Sequence, residues 1–118
     1  MITDEKKFRV ARIVHEINRL YCEGLGQYQP RWENTSDWQR DSTYQLIEKI
    51  IANPNIKNSE CFEEWKKNKI EDGWRYGPKK DENKKTHPCI VDWENLPIQE
   101  REKDPILIHV IKGLLNLR

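Results

Sequence analysis

Val10, Ile13, Val14, Ile17, Leu20 and Tyr21 recur every three or four residues, which predicts an amphipathic helix over residues 5–23. Gly24 and Gly26 end it, because glycine enters the left-handed cap conformation at little cost. A loop carrying Pro30 and Trp32 follows. Ser36 and Gln39 have capping-box spacing, and Leu46, Ile47, Ile50 and Ile51 supply the next apolar stripe, so a second helix is expected over 37–52. Asn53-Pro54-Asn55 stops it. Asn58 or Ser59 is the expected cap of a third helix, whose apolar face holds Cys61, Phe62 and Trp65 and which runs to Gly73.

From Trp74 to Trp93 the helical period is lost. Residues 74–76 and 89–93 predict two short strands of a hairpin, joined by the charged loop 79–86. Pro97 then opens a short helical turn, and Asp104-Pro105 predicts the N-cap and first residue of a final helix. Its inward stripe would be Leu107, Val110, Ile111 and Leu114. The fold class expected is α+β, mostly helical, with about four helices and a short β-hairpin in a single domain over residues 1–118.

One internal echo bears on this plan. Trp32-Glu33-Asn34 matches Trp93-Glu94-Asn95, and at the same offset Arg40 meets Arg101, while Leu46, Ile47 and Ile50 meet Leu107, Ile108 and Ile111. Residues 7–52 then read as a degenerate half-repeat without its hairpin, and 58–116 as the repeat proper. The competing account is chance recurrence in a Trp-rich chain of amphipathic helices.

Composition narrows the function classes. Hydrophobic residues are 36% and charged residues 35% of 118, with a mean hydropathy of −1.00, on the polar side of globular. Five Trp and four Tyr compensate, since each buried ring removes about 150–250 Å² from water. A net charge of +1 provides no whole-protein field that calls for nucleic acid or membrane. Cys22, Cys61 and Cys89 are odd in number and unpaired in motif, which fits free thiols in a reducing compartment. No apolar run approaches the ~20 residues of a membrane span, and no hydrophobic run follows the charged N-terminus. A soluble, cytoplasmic protein is expected.

Candidate chemistry gathers in residues 65–85, where Trp65, Trp74 and Tyr76 lie among eight basic and four acidic residues. Aromatic faces beside ammonium groups suit a purine base and its phosphates. The plainer alternative is that the lysines are solvated and the tryptophans are packing. Metal and nucleophile readings do poorly. His15-Glu16 with Pro88-Cys89 supplies half of a zinc-deaminase pattern, but Asp92 stands where its second Cys belongs. His87 and Cys89 are two ligands where a structural zinc takes four, so no metal and no cofactor is expected. A nucleic-acid partner is not expected either, because no finger, RRM or basic helix is legible.

The hexapeptide Gly73-Trp74-Arg75-Tyr76-Gly77-Pro78 combines two aromatics with free glycines and a φ-locking proline, which specifies one turn geometry. With Phe62-Glu63-Glu64-Trp65, Ile70-Glu71-Asp72, His87-Pro88-Cys89 and Leu96-Pro97 in order, it resembles the RyR domain, the ryanodine-receptor repeat. Val14-His15-Glu16-Ile17 is also similar to the family's typical helix start, "Ile-His-Glu-Leu". The resemblance implies paired helices on a short hairpin, forming a non-catalytic module of the kind that stands alone in bacteria and phages. It further implies an adenine-nucleotide site in which Trp65 stacks on the base and Lys69 and Lys80 meet phosphates. Two positions depart from the pattern: Phe62 replaces the usual His, and Lys80 the usual Arg, losing a bidentate fork.

The expected function is therefore non-enzymatic recognition of an adenine-nucleotide or ADP-ribose-type small molecule, as a sensor or sequestering protein. Trp65 and Trp74 would stack the base; Lys69, Lys80 and Arg75 would meet phosphates, with Tyr76 beside them. The site would lie between the two halves or across a homodimer that rebuilds the tandem pair. The alternative is a protein-interaction or structural module without a small-molecule ligand.

Overall fold

A computed structural model describes residues 2–117. Among them the chain forms α1 (Asp4–Gly24), α2 (Asp37–Ala52), α3 (Asn58–Glu71), β1 (Arg75–Tyr76), β2 (Thr86–His87) and α4 (Ile98–Leu115). Short 3-10 turns at Trp32–Asn34 and Trp93–Asn95 precede α2 and α4. The chain divides into two compact units, one made by the segment up to Ile56 with the segment from Pro105 onward, the other by Lys57–Asp104.

In the first unit, Thr3 caps α1 by accepting the Lys6 N–H, and Ser36 caps α2 by accepting the Gln39 N–H at 3.3 Å. Val10, Ala11 and Val14 of α1 are buried, as are Ile47 and Ile50 of α2. Ile13 and Leu20, expected to be part of the inner stripe of α1, are instead exposed, while Ala11, His15 and Cys22 are inside. From α4 the buried set is Leu107, Ile108, Ile111 and Leu115. The stripe expected there is rotated: Val110 is half-buried and Leu114 exposed.

The expected break at Asp104-Pro105 is also corrected, because α4 runs through Pro105 as one helix. The ring forfeits one intrahelical hydrogen bond, to the carbonyl four residues back. A Glu100–Lys103 ion pair lies before it and the buried apolar residues lie after it.

In the second unit, the cap of α3 lies one residue before Asn58, the first of the two expected caps. Lys57 takes that position, and the Glu60 carboxylate accepts its N–H at 3.3 Å. At the other end the Trp74 N–H reaches Lys69 O and the Gly73 N–H reaches Ile70 O, with Gly73 at φ +90°. This is a Schellman ending, and glycine carries it without steric cost.

The hairpin differs from expectation. The second strand is Thr86–His87, not 89–93, and it pairs with β1 in parallel, Arg75 opposite Thr86 and Tyr76 opposite His87. The connecting loop folds back on itself first. Asp81 Oδ1 accepts the Asn83 and Lys84 N–H groups, and Asp81 exchanges both backbone hydrogen bonds with Thr86. That inner turn reverses the chain, so the short strand after it runs in the same direction as β1.

Each unit contains the same small motif. In both, a 3-10 turn presents a tryptophan whose ring faces an arginine: Arg40 lies 4.9 Å from the Trp32 ring and Arg101 lies 5.4 Å from Trp93. Arg40 donates to Trp32 O and Thr35 Oγ1, and Arg101 to Glu94 O and Leu96 O. The preceding helix brings a second ring to each tryptophan, His15 at 5.7 Å and Phe62 at 5.6 Å. The following Glu pairs with a cation three residues on, Glu16 with Arg19 and Glu63 with Lys66. Both first helices close at a positive-φ glycine, Gly26 and Gly73. Five residues then lead to Trp32, but nineteen lead to Trp93, and those extra residues hold β1, the loop and β2.

Gly77 is the tightest point of this insertion. A Cβ there would lie 2.5 Å from the Thr86 Cβ. Gly77→Ala is expected to destabilise the protein by ~1–3 kcal/mol, through forced separation of β1 from β2. Urea unfolding checks this, and an unchanged midpoint would contradict the close approach.

Candidate functional site

Phe62, Trp65, Lys66 and Lys69 follow one another at spacings of three, one and three along α3, so they share one helical face. Phe62 is buried and runs alongside Trp65, their centroids 6.0 Å apart and planes at 28°. Trp65 is half-buried and meets His87 edge-on at 4.9 Å. Trp74, directly after the Schellman turn, is buried at 4% exposure and lies 6.4 Å from His87. Trp93, Phe62, Trp65 and His87 thus form a run of rings with each neighbour in contact, held at one end by Arg101.

His87 is the point on which charges converge. Burial lowers its pKa to about 4, and the ammonium groups of Lys80, Lys103 and Lys69 push the same way against Glu100. These lysines come from three elements: Lys69 from α3, Lys80 from the loop between the strands, and Lys103 from α4. Lys69 is itself buried at 5% exposure, an uncommon position for an ammonium group. Lys103 is held by Glu100 at 2.6 Å.

Of the residues expected from sequence, Trp65 and Trp74 have rings beside His87, and Lys69 and Lys80 act on it through their charge. Trp74 lies there as a wall, with almost none of its ring open to solvent. Arg75 and Tyr76 are exposed on β1, Tyr76 at 58%. Other basic residues of the 65–85 stretch have structural partners. Lys66 sits over the Phe62 ring and donates to Val91 O, and Lys85 donates to Asp72 O. His87, Glu100 and Lys103 were missed. His87 stands in a tripeptide that reads as scaffold, and a Lys–Glu pair on a polar helix face has no distinguishing sequence signal.

The matched chain answers what kind of domain this is. Residues 28–117 match the model of the RyR domain, most of the chain and all of the cluster around His87. The chain belongs to the RyR domain family. The match reaches further upstream than the five blocks of resemblance, taking in the first 3-10 turn and α2. No helix among the described residues of this RyR domain is long and apolar enough to cross a membrane.

The titratable groups at the centre of the cluster are held in their uncharged forms. Burial pushes the Cys89 thiol up to about 12, and the Glu100 carboxylate adds to the effect, so the thiol stays protonated at neutral pH. The Cys89 backbone N–H occupies His87 Nδ1 at 3.0 Å, so the two residues are not arranged as a thiolate–imidazolium pair. What remains is an indole beside an uncharged imidazole, flanked by three ammonium groups.

The low pKa of His87 has a measurable consequence. In the unfolded chain this group titrates near 6.5, in the fold at about 4, so the unfolded state takes up its proton first as pH falls. Stability therefore rises with pH across that window and falls by ~3 kcal/mol on acidification through it. Urea melts at successive pH values should show a steeper acid loss for wild type than for His87→Gln. Parallel profiles would rule out a neutral buried imidazole.

Proposed function

We propose that this RyR domain is a non-catalytic receptor for an adenine-nucleotide or ADP-ribose-type small molecule. The carrying observation is the half-buried Trp65 ring edge-on to His87, on which the charges of Lys69, Lys80 and Lys103 act from three separate elements. A base stacks on Trp65, a half-buried ring of the cluster beside those cations. Its phosphates meet Lys69 and Lys80, with charge-assisted hydrogen bonds replacing part of the water each ammonium loses. Trp74 supports the site from within, and Arg75 and Tyr76 lie outside it.

The first unit is, in this reading, a second copy of the repeat that has lost the site. In the register that superposes Gly26 on Gly73 and His15 on Phe62, Asn18 stands for Trp65 and Cys22 for Lys69. Without the stacking ring, the lysine and the hairpin, that copy keeps the tryptophan–arginine clamp and nothing that recognises a ligand.

A thermal-shift panel with ATP, ADP, AMP, ADP-ribose, NAD and cyclic ADP-ribose tests the reading. Ligand at one hundred times its Kd should add about 2.7 kcal/mol, several degrees for a domain of this size. Trp65→Leu keeps an apolar contact with Phe62 and His87 but lacks a π-face, and should remain folded while binding about tenfold more weakly. A flat panel for the wild type would favour a protein-interaction module instead.

A further inference from the structure

The backbone fixes which atom of His87 carries its proton. Nδ1 accepts the Cys89 N–H at 3.0 Å across the Pro88-stiffened tripeptide, so the proton of the neutral ring is on Nε2. Nε2–H is then a donor, and it forms no hydrogen bond to any described residue. Its ring neighbours Trp65 and Trp74 cannot take the proton, since an indole N–H only donates. Lys69, Lys80 and Lys103 are likewise donors only, and the carboxylate that acts on the ring, Glu100, is engaged by Lys103 and by the Cys89 thiol. The fold thus provides the partner of Nδ1, the Cys89 N–H, and leaves Nε2–H as the ring's donor.

We propose that His87 is a ligand-contacting residue, whose Nε2–H donates to a phosphate oxygen of the molecule stacked on Trp65. This rests on the nucleotide reading above and adds a specificity-determining contact to it. Ammonium groups recognise charge from any direction, whereas a neutral N–H held in one plane recognises where an oxygen sits. The Cys89 amide therefore acts as a positioning group, because it selects the tautomer that donates.

Two isosteres separate this role from a structural one. Asn places its carbonyl oxygen near the position of Nδ1 and lacks a group at Nε2; Gln places its amide N–H2 near Nε2 and lacks the acceptor for Cys89. Calorimetric titration of wild type, His87→Asn and His87→Gln with ADP, ATP and ADP-ribose should show Gln within about threefold of wild type and Asn weaker by about tenfold or more. The reverse order, or equal binding by all three, overturns the proposal and leaves the nucleotide reading standing. Binding of none of the three compounds by wild type overturns both. A wild-type measurement covers the case of a variant that does not fold: in protein labelled with 15N-histidine, the His87 Nε2–H resonance should shift on adding ADP. An unmoved resonance at saturating ADP also overturns the proposal.

Discussion

Each unit turns on a tryptophan whose ring faces a guanidinium, and the same guanidinium ties down the carbonyls of the turn that presents the ring. A 3-10 turn leaves carbonyls without intrahelical partners, and a buried one needs donors in fixed positions. Arginine suits this because its planar fork gives two hydrogen bonds while its face lies on the indole. In the first unit Trp32 is fully enclosed, with Phe8, His15 and Tyr44 edge-on around it. In the second, Trp93 passes the constraint to Phe62, Phe62 to Trp65, and Trp65 to His87. The orientation of the candidate site is thus inherited from a packing device that is present twice.

What differs between the units is the stretch between the helix-ending glycine and the tryptophan. In the first it is a short loop; in the second it is long enough for a turn around Asp81 and two strands. The insertion brings Lys80 and His87 to a helix face that already holds Trp65 and Lys69. The candidate site is added in this way without altering the clamp beneath it, since loops on a rigid frame tolerate insertion where packed elements do not.

Charge is arranged around a group that does not share it. Protonating His87 among three lysines would be costly, so burial and their charge keep the imidazole neutral. Burial likewise keeps Cys89 a thiol. The pair reads on paper as nucleophile and base, yet the fold sets both in their unreactive forms.

Much of the local structure was legible in the sequence: the extents of α1 and α2 and the Ser36 cap. These features depend on residues within about a helical turn of one another, where periodicity and capping act directly. The aromatic and basic composition of residues 65–85 was legible too, but which of those side chains act on His87 was not. The parallel strand pair, the helix running through Pro105, the rotated stripe of α4 and the buried Trp74 were decided by tertiary structure. Each depends on partners ten or more residues away, or on burial strong enough to override a local preference. The surroundings of His87 and Lys103 belong with them, since their chemistry comes from neighbours supplied by other elements of the fold.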